Sequence, residues 1–237
     1  MDESPGSESH MSGYPAGMSE TTHQYGYADA RVRDISTAQL LGQVMFLVAV
    51  AIGFCALGTL LGRDLSVGTA RICSFAGFGM LIVSSFAGER FRIGPFAMVW
   101  LFATALIIGL GLGPIIDYYL AADATALTQA FVGTAATVAA AGSLGFVISK
   151  DLAPWMRPVA MIVFVAAIGT IIWSLFGGTL SPLVSAGIYL VSALLIVIDF
   201  NYIRKHGTAN DAIWLATGIF VSIVNIFLSL LNIFSSR

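Results

Sequence analysis

Most of the 237-residue chain consists of seven long apolar blocks, and few folds are compatible with this pattern. Each block has about 22 to 25 residues, which as an α-helix is about 33 to 38 Å long and can cross the hydrocarbon core of a bilayer. A transmembrane β-barrel would show alternating segments of about ten residues instead. The sequence therefore predicts an all-α, polytopic membrane protein, a seven-helix bundle with short connections. The blocks are 40–61, 66–87, 94–116, 125–149, 154–176, 181–203 and 212–234.

The composition agrees with a chain dissolved in lipid. Hydrophobic residues make up 57% of the sequence and charged residues 10%, whereas about a quarter of the residues of a soluble domain are charged. The net charge of −2 is too small to indicate a nucleic-acid partner. We therefore expect the lipid bilayer as a partner and no nucleic acid.

Lys and Arg predict the orientation, because cytoplasmic loops of membrane proteins are enriched in them. If there are seven crossings, eight of the 11 Lys and Arg residues lie on one side. This places the amino terminus in the cytoplasm, in the inner membrane of a bacterium or in the endoplasmic reticulum or another organelle of a eukaryote. The eight residues are Arg31, Arg33, Arg90, Arg92, Lys150, Arg157, Arg204 and Lys205.

The first 35 residues have a different composition. They are rich in Ser, Gly, Tyr, Thr and Met, contain no apolar run, and lack the basic and apolar regions of a signal peptide. We interpret residues 1–35 as a disordered cytoplasmic tail and residues 36–237 as the membrane domain. His10 and His23 are too isolated in this tail to indicate a metal site.

The last helix carries a polar stripe. Its members fall within an arc of about 80°, while the rest of the helix is mainly Ile, Val, Leu and Phe. A stripe of this kind faces protein or water rather than lipid. One interpretation is interhelical hydrogen bonding, worth about 0.6 kcal/mol per contact, although it explains serine better than asparagine, whose amide has several groups to satisfy. The stripe is Gly218, Ser222, Asn225, Ser229 and Asn232.

The sixth helix carries a matching face, on which Ser185, Ser192 and Asp199 follow one another at intervals of seven residues. Since helices six and seven are consecutive, we expect the two faces to meet or to share a cavity. Asp199 has a second interpretation as an interfacial residue that reaches water or pairs with Arg204. The sequence "GLGLGP" at 109–114 is either a local unwinding or the end of helix three, and we favour the end.

Enzyme activity is not indicated. The only His outside the tail, His206, lies in a polar loop, and there is no His-Glu-x-x-His zinc motif. The last helix has no Lys for a retinal Schiff base, and no two membrane carboxylates are spaced for an intramembrane metal. We therefore expect no catalytic residues, no metal site and no cofactor.

The carboxyl-terminal third, "IDFNYIRKHGTANDAIWLATGIFVSIVNIFLSLL", resembles the last two helices of the Bax inhibitor-1 family, also called the transmembrane Bax inhibitor motif or lifeguard family. The matching features are Asp199, Asp211 and the Asn-x-Phe-x-x-x-Leu pattern that starts at Asn225. The stretches "GLGPIIDYY" and "SKDLAPW" are also similar, and the resemblance covers roughly residues 36 to 235.

The resemblance implies a bundle in which the last helix is central and surrounded by the other six. It also implies a pH-sensitive calcium leak, in which two aspartates that share a proton sense the pH. The first aspartate matches Asp199, but Ser222 stands where the second is expected. The implied site residues are Asp199, Ser222 and Asn225 as pH sensor or gate, Arg90 and Glu89 as a possible latch, and Asp211 as a loop acid.

Two functions remain open at this point. The first is a leak pathway for Ca²⁺ or H⁺ that is gated near Asp199. The alternative is a non-conducting membrane regulator that binds another membrane protein, such as a protease or a component of a cell-death or stress response. Ser222 adds weight to the alternative because it brings no charge to a cation path.

Overall fold

A computed structural model describes residues 35–86, 88–175 and 181–236, which form seven helices. All seven are long and apolar enough to cross a membrane, so the predicted number of spans is confirmed. The predicted disordered tail lies outside the described residues except for Ile35. The helices are α1 (Thr37–Leu61), α2 (Val67–Phe86), α3 (Pro95–Ala122), α4 (Ala124–Val147), α5 (Ala153–Leu175), α6 (Pro182–Lys205) and α7 (Ala212–Ser235).

Short polar residues define where several helices begin. The side chains of Ser36 and Gln39 form a reciprocal capping box at the start of α1. Asp123 accepts a hydrogen bond from the backbone N–H of Ala126 (2.9 Å), so that α4 starts directly after α3 ends. Such caps satisfy backbone donors that have no partner within the helix.

The expected end of helix three at "GLGLGP" is wrong, because α3 continues through Pro114 to Ala122. Its glycines allow α3 to approach α1 closely. A Cβ atom added at Gly109 would clash with the carbonyl oxygen of Cys55, and one at Gly113 would clash with the backbone of Gly62. The glycines therefore serve helix packing rather than helix termination.

The last helix is central, as the family resemblance implies. Of its most apolar stretch 56% of the residues are buried, against 17% for α2 and for α5. It packs mainly against α6, α4 and α1 and more weakly against α3, whereas α2 packs on α3 and α5 packs on α6. Of the six helices expected to surround α7, three therefore pack closely against it and a fourth packs more weakly.

Candidate functional site

The polar faces of α6 and α7 meet in the structure. Near one end, the Ser185 hydroxyl donates a hydrogen bond to Oδ1 of Asn232 (3.1 Å). Near the other end, Oδ2 of Asp199 lies 3.7 Å from the position that a Cβ would take at Gly218. The two α6 residues are 14 positions apart, and so are the two α7 residues. Both contacts therefore belong to a single antiparallel register.

This register orders the remaining members of what we call the polar row. Ser192 and Asn225 each lie seven residues from both contacts, so they occupy the same level. Ser222 lies one helical turn from Gly218. Ser192 and Ser222 are 0% exposed and Asp199 is 3% exposed. The polar row consists of Ser185, Ser192 and Asp199 on α6 and Ser222, Asn225, Ser229 and Asn232 on α7.

Much of the polar row is buried without being satisfied. Among the described residues, Oγ of Ser192, Oδ2 of Asp199, Oγ of Ser222 and Nδ2 of Asn225 are buried side-chain atoms with no hydrogen-bond partner. Buried polar groups in native proteins are nearly always paired, and an unpaired one costs about 1 to 3 kcal/mol. Such a cluster is typical of a site that receives water, a proton or an ion.

Asp199 is the one carboxylate of the polar row. An ionised carboxylate without a cationic partner is far more costly to bury than a neutral acid. The interpretation of Asp199 as an interfacial residue paired with Arg204 does not hold, because Asp199 is buried and the Arg204 guanidinium donates to the carbonyl of Ile148 instead. Among the described residues, Asp199 thus has no ion-pair partner.

Asn201, two residues further along α6, is a site residue that the sequence pattern did not predict. It is 0% exposed. Its Nδ2 donates to the carbonyl oxygens of Gly145 (3.3 Å), Ile148 (3.0 Å) and Lys150 (3.2 Å). Its Oδ1 accepts from the backbone N–H of Leu152 (3.0 Å). The available signal was an asparagine in an apolar run, about 200° round the helix from Asp199.

The last turn of α6 adds further contacts to the same segment. Lys205 donates to the carbonyl oxygen of Ser149. Nε2 of His206 lies 2.8 Å from Oδ2 of Asp151, and the backbone N–H of Ala153 donates to Oδ1 (3.0 Å). The bond from Ala153 and then the contact with His206 hold the pKa of the Asp151 carboxyl below its usual value. Carbonyls at the end of a helix lack internal partners and attract cations. We call Asn201, Arg204, Lys205 and His206, together with residues 145–152, the α4–α6 clamp.

Asp211, the expected loop acid, has a local structural role. It accepts hydrogen bonds from the backbone N–H and the hydroxyl of Thr208 (2.8 and 2.7 Å) and from the indole N–H of Trp214 (2.8 Å). These bonds hold together the 3₁₀ turn Ala209–Asp211 that leads into α7. The carboxylate of Asp211 therefore stabilises the turn and does not belong to the polar row.

The two residues of the possible latch lie in the exposed 3₁₀ turn Glu89–Phe91 between α2 and α3. The Arg90 guanidinium stands over the ring of Phe96, 5.1 Å from its centroid. The part of the chain that the structure describes shows no contact of Arg90 or Glu89 with Asp199. The structure thus brings Asp199, Ser222 and Asn225 into one row and leaves the latch residues apart.

A family model described as inhibitor of apoptosis-promoting Bax1 matches residues 37–237. The match begins at the first residue of α1 and includes every one of the seven helices. No curated protein matches the chain.

Proposed function

This chain belongs to the Bax inhibitor-1 family, and we propose that it is a pH-sensitive cation leak protein whose gate is the polar row between α6 and α7. Asp199 is the proton-binding group of this gate, and Ser222 and Asn225 line the path beside it. The observation that carries the proposal is the unpaired Oδ2 of Asp199, a residue that is 3% exposed. Calcium is the ion that the family resemblance implies.

The charge of Asp199 links proton binding to ion entry. An ionised carboxylate attracts a cation into a row that otherwise offers only neutral hydroxyl and amide groups. A protonated carboxyl is neutral, removes that attraction and gains a hydrogen-bond donor. At the far end, the hydrogen bond from Ser185 to Asn232 joins the two helices across the row, so that an ion following the row has to pass it.

Cation flux into vesicles tests this proposal. Purified protein in liposomes is assayed for calcium, sodium and potassium entry across a series of pH values, with Asp199→Asn as the variant. Because asparagine resembles the protonated acid, we expect the variant to show at every pH the flux that the parent shows at its acid limit. Asp117→Asn is the matched control, since Asp117 is half-exposed and pairs with Arg63 outside the row (2.9 Å). An unchanged pH response in Asp199→Asn would exclude Asp199 as the gate.

A non-conducting regulator is the second candidate. It is supported by the contacts between the two helices at the ends of the row, where Ser185 bonds Asn232 and where Oδ2 of Asp199 lies close to Gly218. A proton on Asp199 would then change the packing of α6 on α7 and the surface offered to a membrane protease or a component of a cell-death or stress response. A pH-dependent conformational change that needs Asp199, without flux of any cation tested, would favour the regulator.

A further inference from the structure

We propose that the polar row binds a monovalent cation in preference to calcium, with Asp199 as the charged ligand and Ser222 and Asn225 as neutral ligands. The inference deepens the proposed function, because it names the ion class of the same row. It rests on the number of charges in the row and on the direction in which its side chains point.

The charge balance favours a monovalent ion. One ionised carboxylate neutralises one positive charge, so a bound calcium ion would leave a net positive charge inside the bundle. An uncompensated charge in an apolar interior is costly, and calcium prefers six to eight oxygen ligands that include several carboxylates. Within the described ranges, no group of three or more His, Cys, Asp or Glu side chains could hold a metal ion.

The neighbouring charged groups do not add to the balance. Arg204 and Lys205 of α6 bind carbonyl oxygens at the end of α4, and Asp211 ahead of α7 is held by Thr208 and Trp214. Asp117 of α3 pairs with Arg63 at the opposite end of the bundle. The sequences of α1 and α4, which both pack on α7, contain no charged residue. On α5, which packs on α6, the charged residue is Arg157, and it is exposed. Asp199 therefore sets the charge of the row.

The direction of the side chains brings the ligands together. In an α-helix each Cα–Cβ bond tilts towards the amino terminus. Because α6 and α7 are antiparallel in this register, Asp199 tilts towards the level of Ser222, and Ser222 and Asn225 tilt towards the level of Asp199. The unpaired carboxylate oxygen of Asp199 and the unpaired hydroxyl of Ser222 thus lie towards one stretch of the row, and the Asn225 amide, whose Nδ2 is unpaired, lies beside them. A hydroxyl oxygen can coordinate a cation without adding charge, and so can the Asn225 amide once its terminal torsion turns the oxygen towards the ion.

Cation-dependent thermal unfolding of the detergent-solubilised protein tests the inference without requiring conduction. Sodium, potassium or calcium chloride is titrated against choline chloride at constant ionic strength for the parent, Asp199→Asn, Ser222→Asp and Ser236→Asp. We expect the parent to bind sodium or potassium about tenfold more tightly than calcium. Asp199→Asn should lose this binding. Ser222→Asp should reverse the preference, since two carboxylates balance a divalent ion.

Ser236→Asp is the matched control for the added charge. It introduces the same side chain at an exposed position just after α7, outside the polar row and 14 residues from Ser222, thus about 20 Å further from Asp199. We expect it to keep the preference of the parent. If Ser222→Asp does not fold, Asn225→Asp supplies the second carboxylate at the neighbouring position. Tighter binding of calcium by the parent, or monovalent binding that persists in Asp199→Asn, would overturn the inference.

The binding measurement, taken together with the flux measurement in vesicles, separates the inference from the proposed function. Monovalent binding that depends on Asp199, in a protein whose vesicles show no pH-dependent flux, would retain the binding site and reject the leak. A pH-dependent flux through Asp199 with a calcium preference would retain the leak and reject the monovalent site.

Discussion

Asp199 and Asn201 are two residues apart on α6 and both are buried, yet their surroundings are opposite. Both the amide nitrogen and the amide oxygen of Asn201 are hydrogen-bonded to the backbone around the end of α4. Oδ2 of Asp199 has no partner. A buried polar group whose bonds are satisfied holds the bundle together, whereas one that is left unsatisfied remains available for a proton or an ion.

The two faces of α6 also differ in how closely they are packed. A Cβ added at Gly145 of α4 would lie 2.5 Å from the carbonyl oxygen of Val197, which leaves no space for a side chain. A Cβ added at Gly218 of α7 would lie 3.7 Å from Oδ2 of Asp199, an ordinary van der Waals distance. The face towards α4 is thus closed by backbone contact, and the face towards α7 has space beside its carboxylate.

The largest effect is expected from Asn201→Ala. This change leaves three buried or half-buried carbonyl oxygens and one backbone N–H without the partner that Asn201 provides, and we expect a loss of about 3 kcal/mol in the free energy of unfolding. Thermal or denaturant unfolding in detergent measures it. Asn210→Ala is the matched control, because Asn210 is exposed, and it should leave stability within about 0.5 kcal/mol of the parent. Equal stability of both variants would mean that the α4–α6 clamp does not hold the fold.

Gly145→Ala should be the next most damaging change. The added methyl group would push α4 away from α6, and overpacking of this kind costs about 1 to 3 kcal/mol. Gly218→Ala makes the same substitution on α7, opposite the other face of α6. It should leave the unfolding temperature nearly unchanged but alter cation flux, because its methyl group would lie beside Asp199. If Gly218→Ala destabilised the protein as much as Gly145→Ala, the two faces would not differ in packing.

A smaller effect on stability is expected from Asp199→Asn. The substitution breaks no hydrogen bond of Oδ2 and removes a charge from the bundle interior, so the free energy of unfolding should stay within about 1 kcal/mol of the parent at neutral pH. Unfolding measured beside Asn201→Ala checks this. A loss as large as that of Asn201→Ala would make Asp199 a structural residue like its neighbour.

The smallest effect is expected from Asp151→Asn, since the contact between Asp151 and His206 is exposed to solvent. The pKa of Asp151 is lowered in the folded protein, chiefly by the backbone N–H of Ala153 and then by His206. The ionised Asp151 therefore contributes to stability at pH values above its unfolded pKa of about 3.9, and this contribution is lost as the pH falls through its lower folded pKa. Unfolding temperatures of parent and variant should differ slightly at neutral pH and converge in acid.

The sequence predicted what periodicity and length can reveal. The seven spans and the polar stripes on α6 and α7 follow from spacing within single helices. The clamp was not predictable in this way, because the partners of Asn201 are backbone carbonyls about fifty residues away. The continuation of α3 through Pro114 was missed for a similar reason, since the close approach of Gly109 to Cys55 depends on the packing of two helices. Asp211 was noticed, but its partners are local.

The most direct test of Asp199 as the proton-binding group is infrared difference spectroscopy of the protein in lipid during a pH titration. A protonated carboxylic acid has a carbonyl stretching band that its ionised form lacks. We expect this band to be present in the parent, absent in Asp199→Asn and unchanged in Asp117→Asn. Its titration midpoint should equal that of the cation flux. A parent spectrum in which no such band depends on Asp199, or a band whose midpoint differs from that of the flux, would contradict the assignment of Asp199 as the gate.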